Sequence, residues 1–365
     1  DMPVGQLRFI VPERSRLSER AAQQAYFTGF DPIPSFCRAR FADNGDLLVE
    51  REGFDSAKLN LPWRVDGRGE PLLTTGTLVQ RDRPYLLPLE LARGKLNTVR
   101  NQIADWEQAG FEQNEALRAK LKSARPHFTE AAVRQHEPQL ASLFAQDALI
   151  DAVDAAEIAA QLYAEQAISA RHRSVAKLPI AFGACLGRKA PEQGLTKMTA
   201  ALCNTAVVPL VWRNVVPEED VYQWDAYSEQ LAWCQTQGMN TCAGPLVKLD
   251  DRGFPAWLNA WQDDVDAVAA FSAEYTARVV QQFLGRVSFW NCATFSYRTH
   301  QLGLKDEEKL RVIARVVETI RRLDAETPLI VSFDAPWGEY LRKTPLAYAP
   351  IHIADHLVRS GLPIA

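Results

Sequence analysis

Hydrophobic residues change their spacing twice along the chain, and the changes divide it into three stretches. Residues 1–85 carry short apolar runs broken by turn residues. Leu7-Arg8-Phe9-Ile10-Val11-Pro12 reads as one strand and Phe36 to Phe41 as another. Asp43-Asn44-Gly45-Asp46 has turn composition, and Leu47-Leu48-Val49-Glu50 resumes the pattern, so the pair predicts a hairpin. Leu72 to Val79 reads as a further strand, and the stretch as a whole as a small β domain.

Residues 86–175 change period. Leu89, Leu96, Val99 and Ile103 fall on one helical face. A second, Ala-rich stretch from Pro138 to Ala170 carries Leu140, Leu143, Leu149, Val153 and Ile158. Pro138 suits a first helical turn, where its missing N–H costs nothing. Ser123-Ala124-Arg125-Pro126 reads as the loop between the two. The expectation is a helical hairpin or small bundle, acting as a packing element and linker between domains.

Residues 176–365 alternate strand and helix. Strand-like runs are Leu178 to Cys185, Asn204 to Val211, Asn240 to Val247, Val287 to Ala293 and Pro328 to Phe333. Between them Tyr227, Leu231 and Cys234 share one helical face. So do Val268, Phe271, Tyr275 and Val279, and likewise Leu310, Ile313, Val317 and Ile320. Apolar strands joined by helical crossovers predict a parallel sheet covered by helices. The repeat suits a TIM (β/α)8-type barrel. Five strands are visible, and Gly361 to Ala365 reads as the start of a sixth. Eight strands need about 250 residues, so the expected fold is an α/β, incomplete barrel in a chain truncated at its C-terminus.

Composition narrows the function classes. Lys and Arg total 41 against 45 Asp and Glu, a net charge of −4 without a basic stripe, which argues against nucleic-acid binding. No apolar run approaches the ~18 residues of a membrane span. The six cysteines (Cys37, Cys185, Cys203, Cys234, Cys242, Cys292) show no CxxC pairing and read as reduced thiols, which suggests a cytoplasmic setting. Asp1-Met2-Pro3-Val4 lacks the basic-then-apolar pattern of a signal peptide. His352 and His356 lie four apart beside Asp355, but Ile353 stands where a zinc protease helix needs Glu, so no metal site is expected. Neither a phosphate loop nor a Gly-x-Ser-x-Gly elbow is present, and no cofactor is expected.

In a barrel the chemistry sits at the C-terminal ends of the strands. There the sequence places Arg188 and Lys189, then Trp212, Arg213 and Asn214, then Lys248, Asp250, Asp251, Arg252 and Trp257. Thr294, Ser296, Tyr297, Arg298 and His300 follow the fourth strand, and Asp334, Trp337, Glu339 and Tyr340 the fifth. Flat aromatic faces flanked by charged and amide groups suit sugar rings, whose C–H faces stack while their hydroxyls hydrogen-bond. Trp212, Trp257 and Trp337 are the expected stacking residues, with Arg213, Lys248 and Asp334 as polar partners.

Several of these segments resemble glycoside hydrolase family 10, mostly endo-1,4-β-xylanases on a TIM barrel. Val211-Trp212-Arg213-Asn214-Val215-Val216-Pro217-Glu218-Glu219-Asp220 and Tyr222-Gln223-Trp224-Asp225 resemble its second strand and following loop. Pro245-Leu246-Val247 with Phe254-Pro255-Ala256-Trp257-Leu258 is similar to its third strand and Pro-x-Trp loop, and Tyr275 to Trp290 to the helix and strand before its acid/base. The resemblance covers residues 178–335 and implies a secreted O-glycosyl hydrolase acting on or binding a β-1,4-linked polysaccharide such as xylan. By the same resemblance Phe295 stands where the family carries its acid/base Glu, and the nucleophile would come from a later strand. The other carboxyls at the strand ends, Asp334 and Glu339, are then the candidate catalytic residues; a carboxyl beside Trp337 would have its pKa raised, as a general acid requires. The alternative is a degenerate, non-catalytic barrel serving as a carbohydrate-binding or scaffold module. The β domain of residues 1–85 could likewise bind glycan.

Overall fold

A computed structural model describes residues 4–53, 55–297, 302–343 and 348–364. Arg298, His300 and Ala365 lie outside the described residues. The chain divides into two compact units. One runs to Leu178 and takes in the short stretch that starts at Leu341; the other holds Pro179–Tyr340 and the C-terminal helix.

The first unit contains strands β1 (Val4–Ile10), β2 (Tyr26–Thr28), β3 (Pro34–Ser35), β4 (Arg38–Phe41), β5 (Leu47–Glu52), β6 (Lys58–Pro62), β7 (Leu72–Thr74) and β8 (Tyr85–Leu86). Its helices are α1 (Glu19–Ala22), α2 (Leu87–Gln108), α3 (Glu115–Val133) and α4 (Pro138–His172). The strands form two four-stranded sheets, β4-β5-β1-β8 and β3-β2-β6-β7. The expected hairpin is β4–β5, antiparallel with Ala39 opposite Val49. Phe9, Leu47, Val49, Leu59, Leu61 and Trp63 are buried in one cluster with Leu87, Leu89 and Leu91 of α2 and Ala141, Ala145 and Leu149 of α4. The strand-rich and helical stretches therefore share a core.

The loop expected at Ser123–Pro126 is absent: α3 runs straight through Pro126, and the break falls at Gln135–Glu137 before α4. A proline inside a helix forfeits one backbone hydrogen bond. Here Leu117, Ala124 and Ala131 are fully buried as α3 lies along α4, and that packing outweighs the loss. Gly94 marks a close crossing, because a Cβ there would sit 1.9 Å from the carbonyl oxygen of Thr74.

Asp154 on α4 accepts from Arg68 Nε at 2.5 Å and pairs with Lys120 Nζ at 2.9 Å. The Arg68 bond, helped by Lys120, holds its carboxyl below the usual carboxylate range. A carboxylate depressed by folding stabilises the fold above its unfolded pKa, and that contribution is lost as pH falls through the folded value. Asp154→Asn is expected to lower the urea midpoint at pH 7. The gap from the parent chain should close as pH drops below about 4. A gap unchanged at low pH would mean that the charge contributes nothing.

The second unit contains β9 (Gly183–Cys185), α5 (Gln193–Leu202), β10 (Thr205–Val208), α6 (Trp212–Val215), α7 (Asp225–Thr236), β11 (Asn240–Ala243), β12 (Val247–Lys248), α8 (Val265–Phe283), β13 (Phe289–Phe295), α9 (Asp306–Leu323), β14 (Leu329–Phe333) and α10 (Pro350–Arg359). Short 3-10 turns cover Ala256–Trp261 and Glu339–Arg342. The sheet is parallel, in chain order from β9 through β10 and β11 to β13 and β14. β11 and β12 pair with successive parts of β13, interrupted at Gly244 and the cis peptide before Pro245. Gly244 has φ 127°, and a Cβ there would lie 2.2 Å from the Asn291 carbonyl oxygen, so only glycine lets the strand jog at this point. Val208, Leu231, Val279, Trp290, Ile313 and Val317 are fully buried between sheet and helices, on the faces the periodicity predicts.

Two expected strands differ. Of the run Leu178 to Cys185 only β9 pairs, at the sheet edge with β10. Pro179 has no N–H to donate, and the Asn204 side chain takes the Ile180 carbonyl and the Phe182 amide instead. Gly361, at φ 75°, turns the chain, and Gly361–Ile364 form no strand.

Candidate functional site

The loops that follow β10 and β12, together with α8, line one cavity. The first leaves β10, makes the single turn α6, and runs through Glu218–Val221 to α7. The second leaves β12 and makes the 3-10 turn Ala256–Trp261. The Arg213 amide donates to the Gly253 carbonyl, 3.1 Å, and Trp257 Nε1 donates to the Val216 carbonyl, 3.3 Å, tying the loops together. A Cβ on Gly253 would fall 1.7 Å from the Lys248 carbonyl oxygen, so the second loop folds back on its own strand only because that residue is glycine.

The cavity holds about 180 Å³. Trp257, Tyr222 and Phe271 supply aromatic walls, and Glu219, Asp220 and Glu274 supply carboxylates. Trp257 meets Phe271 edge-on, with centroids 5.7 Å apart, and Tyr222 stacks on Trp224 at 5.0 Å. Burial raises the Tyr222 phenol pKa, and the Glu274 carboxylate adds to the rise, so this hydroxyl stays protonated as a donor and acceptor. Asp220 adopts φ 60°, a left-handed conformation that acidic and amide side chains tolerate better than most. Rings edged by acceptors can hold a sugar by stacking and by taking its hydroxyl protons.

The expected binding residues separate on inspection. Trp257 is half-buried and faces this cavity. Trp212 reaches it only at its edge: the ring is 1% exposed and lies flat on Tyr275, centroids 4.9 Å apart at 6°. That corrects its place among the sugar platforms, because a ring sandwiched in the core has no face left to stack on. Arg213 is exposed, and its guanidinium reaches the Asp251 carbonyl at 3.4 Å. Lys248 Nζ pairs with the buried Asp250 at 2.6 Å.

The remaining candidates gather after β13 and β14. Asp334 accepts from Ser296 Oγ at 2.7 Å and from the Tyr297 amide at 3.2 Å, clamping the two strand ends together. Trp337 is 80% exposed and Glu339 is exposed, on the turn that follows. Tyr297 stacks on Tyr340 at 4.4 Å. Burial first, then the nearby carboxylates Asp306, Asp334 and Glu339, push the Tyr340 phenol up to about 12.

Phe295 closes β13 and is 2% exposed. The Lys309 ammonium lies 5.1 Å from its ring centre and donates to the Ser296 carbonyl at 2.9 Å and to Asp306 at 3.1 Å. A phenyl ring has no proton to transfer, and the cation above it is itself buried and committed. The sequence did not single out Lys309; its position on the apolar face of α9 gave no sign that it would cap the strand end. Among the described residues no group of three or more His, Cys, Asp or Glu is placed to hold a metal ion. His352 and His356 line a groove between α9 and α10, and Asp355 pairs with Arg359.

No family model matches the sequence, and no curated protein matches it significantly. Solved structures align with part of the chain. Xylanase 10B from Thermotoga petrophila, in complex with xylobiose, aligns over 50% of this chain at 14% identity and TM-score 0.40. A family 10 xylanase from Thermobacillus composti aligns over 47% at 16% identity and TM-score 0.38. An endo-1,4-beta-xylanase from Caldicellulosiruptor owensensis aligns over 51% at 16% identity and TM-score 0.40. The chain spans 57%, 51% and 58% of those three proteins. The chain is a mixed α/β protein by its own sheets and helices, and these alignments record a distant structural likeness of about half of it to part of family 10 xylanases.

Proposed function

We propose that the second unit binds a β-1,4-linked polysaccharide of the xylan class and does not cleave it through the end of β13. The observation that carries the reading is the cavity in which Trp257 and Tyr222 stand beside Glu219, Asp220 and Glu274. The buried Phe295–Lys309 contact supports the absence of a proton donor where the resembled family keeps one. Xylan is the class that the sequence resemblance suggests.

Titration of the chain with xylohexaose is expected to give saturable binding. Trp257→Ala should weaken it at least tenfold. Glu219→Gln, which leaves the core untouched, should weaken it several-fold, about the difference between a charge-assisted and a neutral hydrogen bond. Binding unaffected by both changes would overturn the placement. Reducing-end release should stay at background.

A hydrolytic reading rests on Glu339, an exposed carboxyl two residues beyond the exposed Trp337. Retaining hydrolysis would need Glu339 and a second carboxyl such as Asp334 about 5–5.5 Å apart. Turnover that disappears in Glu339→Gln or Asp334→Asn would establish that reading in place of simple binding.

A further inference from the structure

A cleft in the first unit has the features of an anion site. Helix α4 packs along both α2 and α3, while α2 and α3 touch each other little. The gap left between them encloses about 230 Å³. It is lined from α2 by Arg93, Asn97 and Arg100 and from α3 by Leu121, Arg125 and Phe128. The α2 residues fall at i, i+4, i+7, and so do the α3 residues, so each set is one stripe of its helix. With Leu96, at i+3 on α2, the lining has seven residues; three of them are arginines, and no carboxylate lines the space.

The arginines are not equivalent. Arg93 donates to the buried Glu90 at 3.0 Å and lies 5.3 Å from the centre of the Phe128 ring. It is a positioned cation that holds one wall. Arg100 and Arg125 are exposed and make no ion pair among the described residues. Two guanidinium groups that face one gap from opposite helices repel unless an anion lies between them. Guanidinium offers a planar fork of donors that matches carboxylate and phosphate oxygens two at a time. Asn97 adds an amide, and Leu121 and Phe128 give the body of a ligand an apolar surface. The space is large enough for one substituted six-membered ring.

We propose that this cleft binds a compact organic oxyanion, a carboxylate or phosphate carried on a ring-sized body, between Arg100 and Arg125. The site is independent of the polysaccharide reading, since every residue in it belongs to the first unit.

Calorimetric titration of the full chain with benzoate, phenyl phosphate, inorganic phosphate and neutral benzyl alcohol tests it. Saturable binding of benzoate or phenyl phosphate is expected, with benzyl alcohol at least tenfold weaker. Whichever of the two binds more tightly identifies the head group. Inorganic phosphate should bind more weakly than phenyl phosphate, because it cannot use Leu121 and Phe128. Arg100→Gln and Arg125→Gln should each weaken binding about tenfold without changing the thermal midpoint, both side chains being exposed. Lys122→Gln removes the same charge from an exposed position outside the cleft and should leave binding unchanged. Equal loss in Lys122→Gln would reduce the effect to general charge and overturn the site. So would the absence of saturable binding with every probe.

Discussion

Trp212→Ala is expected to destabilise the second unit by about 3–5 kcal/mol, the usual cost of emptying a buried aromatic site. The ring stacks on Tyr275, meets Phe254 edge-on at 5.8 Å and Trp257 at 6.0 Å, and is 1% exposed. Its loss would also loosen Tyr275, whose hydroxyl donates to the Leu210 carbonyl at 2.8 Å where β10 gives way to its loop. Burial raises the Tyr275 phenol pKa well above its ordinary value, so the group remains a donor. Urea unfolding followed by far-ultraviolet circular dichroism reads the loss. Trp212→Phe, which keeps most of the contact, should recover more than half of it. If Trp212→Ala kept full stability and lost only saccharide binding, the ring would belong to the binding surface after all.

Gly94→Ala is expected to reverse the sign of an ordinary helix substitution. Alanine in place of glycine within a helix usually stabilises by about 1 kcal/mol. At this position the added methyl would lie 1.9 Å from the Thr74 carbonyl oxygen and 2.7 Å from that of Thr75. Both are backbone atoms and cannot swing aside. Helix α2 would have to withdraw from β7, opening the core around Leu87, Leu91 and Leu73. Overpacking of this kind costs about 1–3 kcal/mol, and more where backbone must move. The thermal midpoint should fall by several degrees, while Gly194→Ala, at an exposed position in α5 with open space around it, should not lower it. A rise in midpoint for Gly94→Ala would refute the close crossing.

Much of the architecture was legible because periodicity reports burial directly. Tyr227, Leu231 and Cys234 line up, and all three are buried on α7. The same holds for Val268, Tyr275 and Val279 on α8. The break at Pro126 was misjudged because proline is a local signal, while α4 supplies a long-range contact that no local window contains. The run from Leu178 looked like a buried strand, yet Ile180 and Phe182 are 50% and 62% exposed. An apolar run shows that a segment can be buried, not that a neighbour is there to bury it.

The site was legible only in part. Trp212 is followed by Arg213 and Asn214 and Trp257 is flanked by Ala256 and Leu258, yet Trp212 is the core ring and Trp257 the cavity wall, so only depth within the fold separates them. Glu219 and Asp220 lie in the stretch Val211 to Asp220, where nothing local marks them as ligand-facing. Glu274 was missed because it lies on α8, far from any strand end in sequence. Arg93 and Arg100 lie seven apart on α2 and Arg125 stands alone on its stripe of α3, and neither helix by itself differs from a solvated surface. Only the pairing of the two helices makes them a cleft.

The strand order of the second unit has a further consequence for how the chain reaches its native state. With β11 and the short β12 taken as one interrupted strand, each strand of the parallel sheet lies beside one already made: β10 beside β9, β11 beside β10, β13 beside β11 and β12, and β14 beside β13. A chain emerging from the ribosome can add these strands in the order of synthesis, each one closing only a local loop. The first unit lacks that property, since β1 pairs with β5 and β8 and must wait for residues that come much later. Among the described residues, β1 is made before both of the strands it pairs with.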